Sequence, residues 1–388
     1  MKFIFVSEPT FELWDFTNPD RQGIGGSETS HIEMARRLAL RGHDVVSYAP
    51  TPFVGPVTGP GGVTWKRFDQ LDWAETCDVW VIYRAPRLAD LLPAGATSWL
   101  ICQDVDYMRE GAELNEERAQ KFTRIVALCE TQGEYLRYRH KEAADRVVVS
   151  SNGVKAERIR ELLANPPERN PRRLMYASSP DRGMEYLLQI FPKAKEHVPD
   201  LELHIYYGFD NIDKVIEHYG KGSHVDVKTA RLRALLEQPG VHYHGRMGQM
   251  ELLAEWFKAG IWCHPSNFTE TSCITCMDAQ ACGAVPITAP VWAIAENVKH
   301  GVFIQGNATH ELVQARFGLE LMRMAVQPDL QEEIRAEMMP WALDAYDWEV
   351  WVGQWQGWAR ADAKQVRRSR VREVLERPAA RTLEGLTA

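Results

Sequence analysis

The feature that most constrains this chain is an alternation of short apolar runs with stretches of helical spacing. It occurs in two series, on either side of a proline-rich break at 164–172 (ANPPERNPR). The apolar runs read as buried strands. The stretches between them carry one apolar stripe, as Ile32, Ala35, Leu38 and Ala39 do. Strand alternating with helix predicts an α/β fold built on parallel sheets. The break predicts two such domains, which is also what 388 residues favour.

Composition narrows the class. A hydrophobic share of 45% with 25% charged residues suits a globular protein with a full core. A net charge of −8 argues against a protein whose main task is gripping nucleic acid, and leaves room for a local basic groove. No apolar run of about 18 residues predicts a membrane span. The N-terminus, MKFIFVSE, reads as a first strand rather than a signal peptide. Seven cysteines without scaffold spacing predict free thiols and a reducing cytoplasm. Cys273 and Cys276 have C-x-x-C spacing but no second pair, so they read as small core residues and no metal is expected.

In the first series a strand at 2–7 is followed by a loop closing in Gly23-Ile24-Gly25-Gly26, and Ser27-Glu28 opens a helix. A dinucleotide fingerprint would need a third glycine where Glu28 stands, so the nicotinamide-binding motif fails at that position. Strands near 64–68, 79–83, 98–102, 124–128 and 147–150 complete the series. Gln103-Asp104-Val105-Asp106 lies at a strand's C-terminal end, where open α/β sheets place ligand groups, although Asp104 pairing locally explains it as well. The second series starts with a strand at 173–177 and a loop Ser178-Ser179-Pro180-Asp181-Arg182-Gly183, and reaches a turn His244-Gly245-Arg246-Met247.

It culminates in 261–289 (IWCHPSNFTETSCITCMDAQACGAVPITA), which reads strand, loop, helix, turn, strand. Thr271 or Ser272 is expected to cap the helix, and Gly283 to end it. Glu270 precedes the helix start. Asp278 lies two turns in, roughly 10 Å along the axis. A helix N-terminus offers free N–H groups and the positive dipole end, which suits a phosphate. Trp348, Trp351, Trp355 and Trp358 recur at helical spacing and predict a packing face for a last helix at about 346–360. The basic residues of 361–388 read as a polar, mobile tail with room for an anionic partner.

These pieces together resemble retaining glycosyltransferases of the GT-B fold, family 4 (glycosyl transferases group 1), in the family's order. Gly25-Gly26-Ser27-Glu28 resembles its G-G-x-E signature, and Gln103-Asp104 stands where His-Asp is common. Ser151-Asn152-Gly153-Val154 resembles the P-N-G-V turn, and Arg182-Gly183 the end of G-R-x4-K-G. Cys263 to Pro286 resembles the E-x7-E segment with its G-x-P-V end. Four departures stand out: Asp278 is one methylene shorter than the family's second Glu, Ser178 and Ser179 stand near the lost arginine, Arg182 replaces the family's Lys, and Gln103, in place of His, cannot exchange protons.

The resemblance implies two Rossmann-like α/β/α domains facing a cleft. Residues 1–165, completed by the last helix, would form the acceptor side, and 172–345 the nucleotide-sugar side. It implies a donor linked to UDP or GDP as substrate and no cofactor. Glu270, Arg182, Gln103 and Asp104 would serve catalysis. Gly25, Gly26, Ser178, Ser179, Arg246, Met247, Thr271, Ser272, Cys273 and Asp278 would hold the donor. The acceptor stays open between a glycan, a lipid carrier, a protein and a modified DNA base. A sugar-nucleotide epimerase and a non-catalytic nucleotide-sugar binder on the same fold are the competing readings.

Overall fold

The computed structural model describes the chain except for Phe11, Thr58, Pro60, Asp106, 108–110, Ala112 and 377–388, and the side chains of 369–376. Strands β1 (Lys2–Ser7), β2 (Asp44–Ala49), β3 (Gly55–Pro56), β4 (Thr64–Arg67), β5 (Val79–Tyr83), β6 (Ser98–Ile101), β7 (Arg124–Ala127) and β8 (Val147–Val149) form an eight-stranded sheet in the order β3-β4-β2-β1-β5-β6-β7-β8. Only the two-residue edge strand β3 runs antiparallel. Strands β9 (Asn170–Tyr176), β10 (Glu202–Ile205), β11 (Val241–Tyr243), β12 (Ala259–His264), β13 (Val285–Thr288) and β14 (Val302–Phe303) form a six-stranded sheet in the order β11-β10-β9-β12-β13-β14, all parallel.

Helices cover both faces of a parallel sheet, so its strands read as unbroken apolar runs rather than alternating ones. Phe3 to Val6 in β1 and Ile261 to Cys263 in β12 are fully buried for this reason. In each sheet the strand order reverses beside the first strand, between β1 and β5 and between β9 and β12. Crevices at such reversals are where open α/β sheets bind ligands. The loops leaving β1 and β9, the glycine loop and the serine loop, open there.

The chain changes sheet before the proline stretch. Val154, Ala156 and Ile159, at the start of the helix Ala156–Leu163, pack with Met175, Trp256 and Trp262 of the second sheet's layer. Strand β9 begins at Asn170, inside the stretch expected to be linker. Pro171 is tolerated because the pairing of β9 with β12 shifts register at Gly260, where an added Cβ would lie 2.6 Å from Pro171 Cα.

The last helix, Trp348–Glu376, returns to the first sheet. Trp348, Val352, Trp355 and Ala359 join the core of Phe3, Phe5 and Trp99. Trp355 Nε1 donates to Ser150 Oγ at 3.0 Å. Asp362, 3% exposed, accepts from Trp99 Nε1 at 2.9 Å and from the Arg124 guanidinium at 2.6 and 3.0 Å. The expectation of a mobile tail from residue 361 is therefore corrected: the helix continues to Glu376. The residues from Ala361 to Glu376 include no glycine or proline, and Pro378 is the first that would clash with a preceding turn. The rest of the expected tail lies outside the described residues. No helix among the described residues is long and apolar enough to cross a membrane.

Candidate active site

Two adjoining cavities occupy the cleft between the sheets. The first, about 360 Å³, is walled by the glycine loop on one side, and by the serine loop, Arg246-Met247 and the start of the helix Ile274–Ala281 on the other. The second, about 300 Å³, lies over the first sheet. Gly25, Gly26, Arg182, Glu270 and Ser272 line both. Of the residues singled out from sequence, Ser178, Ser179, Arg246, Met247, Cys273 and Asp278 line the first cavity, and Gln103, Asp104 and Thr271 the second.

Loop geometry brings the two halves close. Gly23 has φ +67, and a Cβ there would lie 2.7 Å from the Met247 carbonyl oxygen of the opposite domain. Gly183, at φ +100, starts the helix Met184–His197 and packs on Pro265, whose oxygen would be 2.6 Å from an added Cβ. These two positions need glycine for both conformation and space.

Arg182 and Glu270 meet where the cavities join. Arg182 Nε lies 3.2 Å from Glu270 Oε1, and its Nη1 donates to Asp181 Oδ2 at 2.8 Å. The guanidinium sits over the Phe268 ring, 3.1 Å from its centroid. Burial raises the Glu270 carboxyl above its ordinary range, and the Arg182 charge only partly offsets that. Asp278, fully within the second domain, is pushed up to about 7 by burial, with Lys155 pulling the other way.

The helix Ile274–Ala281 begins differently from expectation. Cys273 is its N-cap residue and makes no side-chain cap, and no acid stands in its first turn. Neither Thr271 nor Ser272 caps it. Thr271 Oγ1 donates to the Gln103 carbonyl at 2.9 Å, and Ser272 Oγ accepts from Asn152 N at 3.2 Å and contacts Ser151 Oγ at 3.3 Å. Both hydroxyls are drawn to the first domain, so the helix N–H groups stay open to the cavity.

Gln103 faces Asn152 in a reciprocal amide pair, 3.3 and 3.4 Å. Asp104 is held by Arg84 Nε and Nη2 at 2.7 and 3.1 Å. Local pairing, the alternative weighed for Asp104, is thus present, inside the cavity. Asp106 lies outside the described residues. Arg246 is engaged by Glu12 of the first domain at 2.6 and 3.2 Å.

Sequence reasoning passed over several wall residues. Arg84 directly follows β5 and has φ +59, a left-handed conformation uncommon for a non-glycine residue. Its place at a strand's C-terminal end was the available signal. Glu12 and Tyr207 carried none. A further contact ties the halves: Glu296 accepts from Glu130 N and Thr131 N at 2.8 Å each and from Thr131 Oγ1 at 2.6 Å, capping the first domain's helix Glu130–Arg139 from the second domain. Among the described residues no cluster of three or more His, Cys, Asp or Glu is placed to hold a metal ion.

Residues 174–316 match the family model described as Glycosyl transferases group 1. No curated protein sequence matches the chain significantly. Solved structures are similar over nearly the whole length. Sucrose-phosphate synthase from Thermosynechococcus elongatus is 14% identical, with a TM-score of 0.65 over 93% of this chain and 98% of that one. HepE from Anabaena, solved with UDP and glucose, is 14% identical, with a TM-score of 0.60 over 93% of this chain and 100% of that one. An alpha-glucosyltransferase (AGT) in complex with UDP is 11% identical, with a TM-score of 0.59 over 92% and 99%. The architecture is the GT-B fold, and the group 1 match across most of its second domain supports a glycosyltransferase.

Proposed function

We propose that the chain is a retaining glycosyltransferase that moves a sugar from a nucleoside-diphosphate sugar, UDP- or GDP-linked, to an acceptor hydroxyl without a metal ion. The observation that carries this reading is the meeting of Arg182 and Glu270 at the junction of two cavities, beside an uncapped helix N-terminus. The first cavity would take the donor and the second the acceptor.

In this reading the anomeric C–O bond to the diphosphate breaks as the acceptor oxygen bonds to the same carbon from the same face. The acceptor's proton passes to the departing phosphoryl oxygen. Negative charge grows on the diphosphate, and fixed donors aimed at developing charge lower the barrier. Arg182 and the N–H groups of Thr271, Ser272 and the helix mouth supply them. These positive groups would do the neutralising that a divalent cation does elsewhere, which favours a metal-independent reaction. Glu270 would orient the sugar and Asp278 the ribose hydroxyls. Gly25 and Gly26 let the first domain's backbone approach the phosphates. Ser178, Ser179, Arg246, Met247 and Cys273 would complete the donor pocket. Gln103 and Asp104 face the acceptor side and bind rather than relay protons. A cytoplasmic setting agrees with seven free cysteines.

A thermal-shift screen against UDP-, GDP- and ADP-sugars tests the donor assignment, since a ligand bound at 100 times its Kd stabilises by about 2.7 kcal/mol. One nucleotide class should stabilise the protein and release its nucleoside diphosphate on turnover, with the anomeric configuration kept in the product. No stabilisation by any of them would sink the proposal. Turnover without an acceptor to an isomerised sugar nucleotide would move it to an epimerase.

A further inference from the structure

We infer, resting on the donor assignment above, that the second cavity takes an uncharged, hydroxyl-rich acceptor, a sugar or other polyol bearing no phosphate or sulfate. Its charged wall residues are not evenly balanced. Glu12 is matched by Arg246, and Glu270 by Arg182. What remains facing the cavity is Glu28, Arg84 and Asp104, two carboxylates and one guanidinium. Arg84 has already committed Nε and Nη2 to Asp104, while its Nη1 is 4.0 Å from Glu28.

The pairing is held in place by an unusual backbone. Arg84 sits in the left-handed region at the end of β5, a conformation that persists only where surrounding contacts impose it. The cation is therefore a brace for the two acids rather than a free anion receptor. Glu28 is itself desolvated, so burial raises its carboxyl, and Arg84 offsets only part of that. With Arg182 turned to the donor diphosphate, a phosphate entering here would bring further negative charge to a site whose described residues hold a surplus carboxylate and no other uncommitted cation, which is repulsive. A hydroxyl donor meets the opposite situation. A carboxylate accepts at several lone-pair sites, and those not turned to Arg84 are available. The Gln103–Asn152 amide pair, long at 3.3 and 3.4 Å, can open to both donate to and accept from hydroxyls.

The cavity adjoins the donor cavity through Arg182, Glu270 and Ser272, so a hydroxyl seated in it lies beside the proposed donor sugar. The experiment uses the full chain and whichever nucleotide sugar stabilises it. Transfer is measured to methyl glycosides and short oligosaccharides, to their 6-phosphates, and to duplex DNA carrying hydroxymethylcytosine. The neutral sugars should exceed the phosphates in kcat/KM by at least about ten-fold, with no transfer to DNA. Asp104→Asn releases two donors of Arg84 and removes one charge. It should move the phosphate-to-neutral ratio toward phosphate by about ten-fold, and the donor-induced thermal shift should stay as in the wild type. Glu28→Gln should move the ratio the same way. A wild type that prefers the phosphates or the DNA overturns the inference, as does donor hydrolysis without transfer to any neutral sugar, or a ratio that neither variant changes. If no nucleotide sugar stabilises the wild type, the donor assignment falls first, and this inference with it.

Discussion

Two helices open onto the cleft, and they begin in opposite ways. The helix Gly26–Leu40 has Gly25 as N-cap and Glu28 in its first turn. The Glu28 carboxylate folds back over its own helix mouth, so that a Cβ on Gly25 would lie 2.4 Å from Glu28 Oε2. The helix Ile274–Ala281 has no acid in its first turn and no side-chain cap. The two mouths face each other: a Cβ on Gly26 would lie 3.6 Å from Ile274 Cδ1. One N-terminus is thus occupied by the chain's own carboxylate and the other is left open beside Arg182. In the proposed reaction anion stabilisation would belong to the second mouth, and the first would contribute close backbone approach and a carboxylate.

The largest expected effect is at the open mouth. Arg182→Ala should lower kcat by about 10²–10³-fold, the usual loss when a fixed transition-state donor is removed, with a smaller change in donor affinity. Nucleoside-diphosphate release kinetics measure it. A change in KM alone would show that Arg182 binds the ground state and would weaken the contrast.

Asp278, the fifth residue of the same helix and so little more than one turn in rather than the two expected from sequence, gives a pH effect. Its carboxyl titrates near 7 in the folded protein, above the ordinary Asp value of 3.8. Between those values the folded state holds a proton that the unfolded state has released. The contribution to stability is therefore full below about pH 4 and is lost as pH rises to about 7. Between pH 5 and pH 8 the wild type should lose on the order of 3 kcal/mol more than Asp278→Asn. Urea denaturation at the two pH values tests this, and parallel losses in both proteins would refute it.

At the filled mouth the effects should be smaller. Gly25→Ala pushes the Glu28 side chain aside, and since that is the end of a flexible chain the cost should be only about 1 kcal/mol. Its kcat should fall far less than that of Arg182→Ala. An equal fall would break the contrast, because it would assign charge stabilisation to both mouths. Glu28→Gln should alter stability least, by under about 1 kcal/mol, since the lost dipole interaction and the relieved desolvation oppose each other. Thermal denaturation resolves both.

The same contrast shows what could be read from sequence. Glu28 follows Gly25 by three residues, so the filled mouth was visible as local spelling. The alternation of strand and helix, both loops and the acids Glu270 and Asp278 were legible for the same reason, since periodicity and spacing are short-range. Thr271 and Ser272 were assigned locally as caps. Their actual partners, Gln103, Ser151 and Asn152, stand more than a hundred residues away in the other domain, and no local pattern announces them. Glu296 capping the helix Glu130–Arg139 across the cleft is invisible for that reason too. Arg84 was hidden differently, because its left-handed backbone is imposed by packing rather than by residue type. The run from 361 to 376 was misread because basic composition was taken as disorder, although its residues are sound helix formers.

The last helix also orders events in time. Trp99 and Arg124 lie in the first third of the chain, yet both reach Asp362, and Ser150 waits for Trp355. As the ribosome delivers the chain, the first sheet emerges early but lacks one wall until the second domain has been made. The domain synthesised first should therefore finish folding last, and it passes that interval with Phe3, Phe5 and Trp99 uncovered on the face that Trp355 closes.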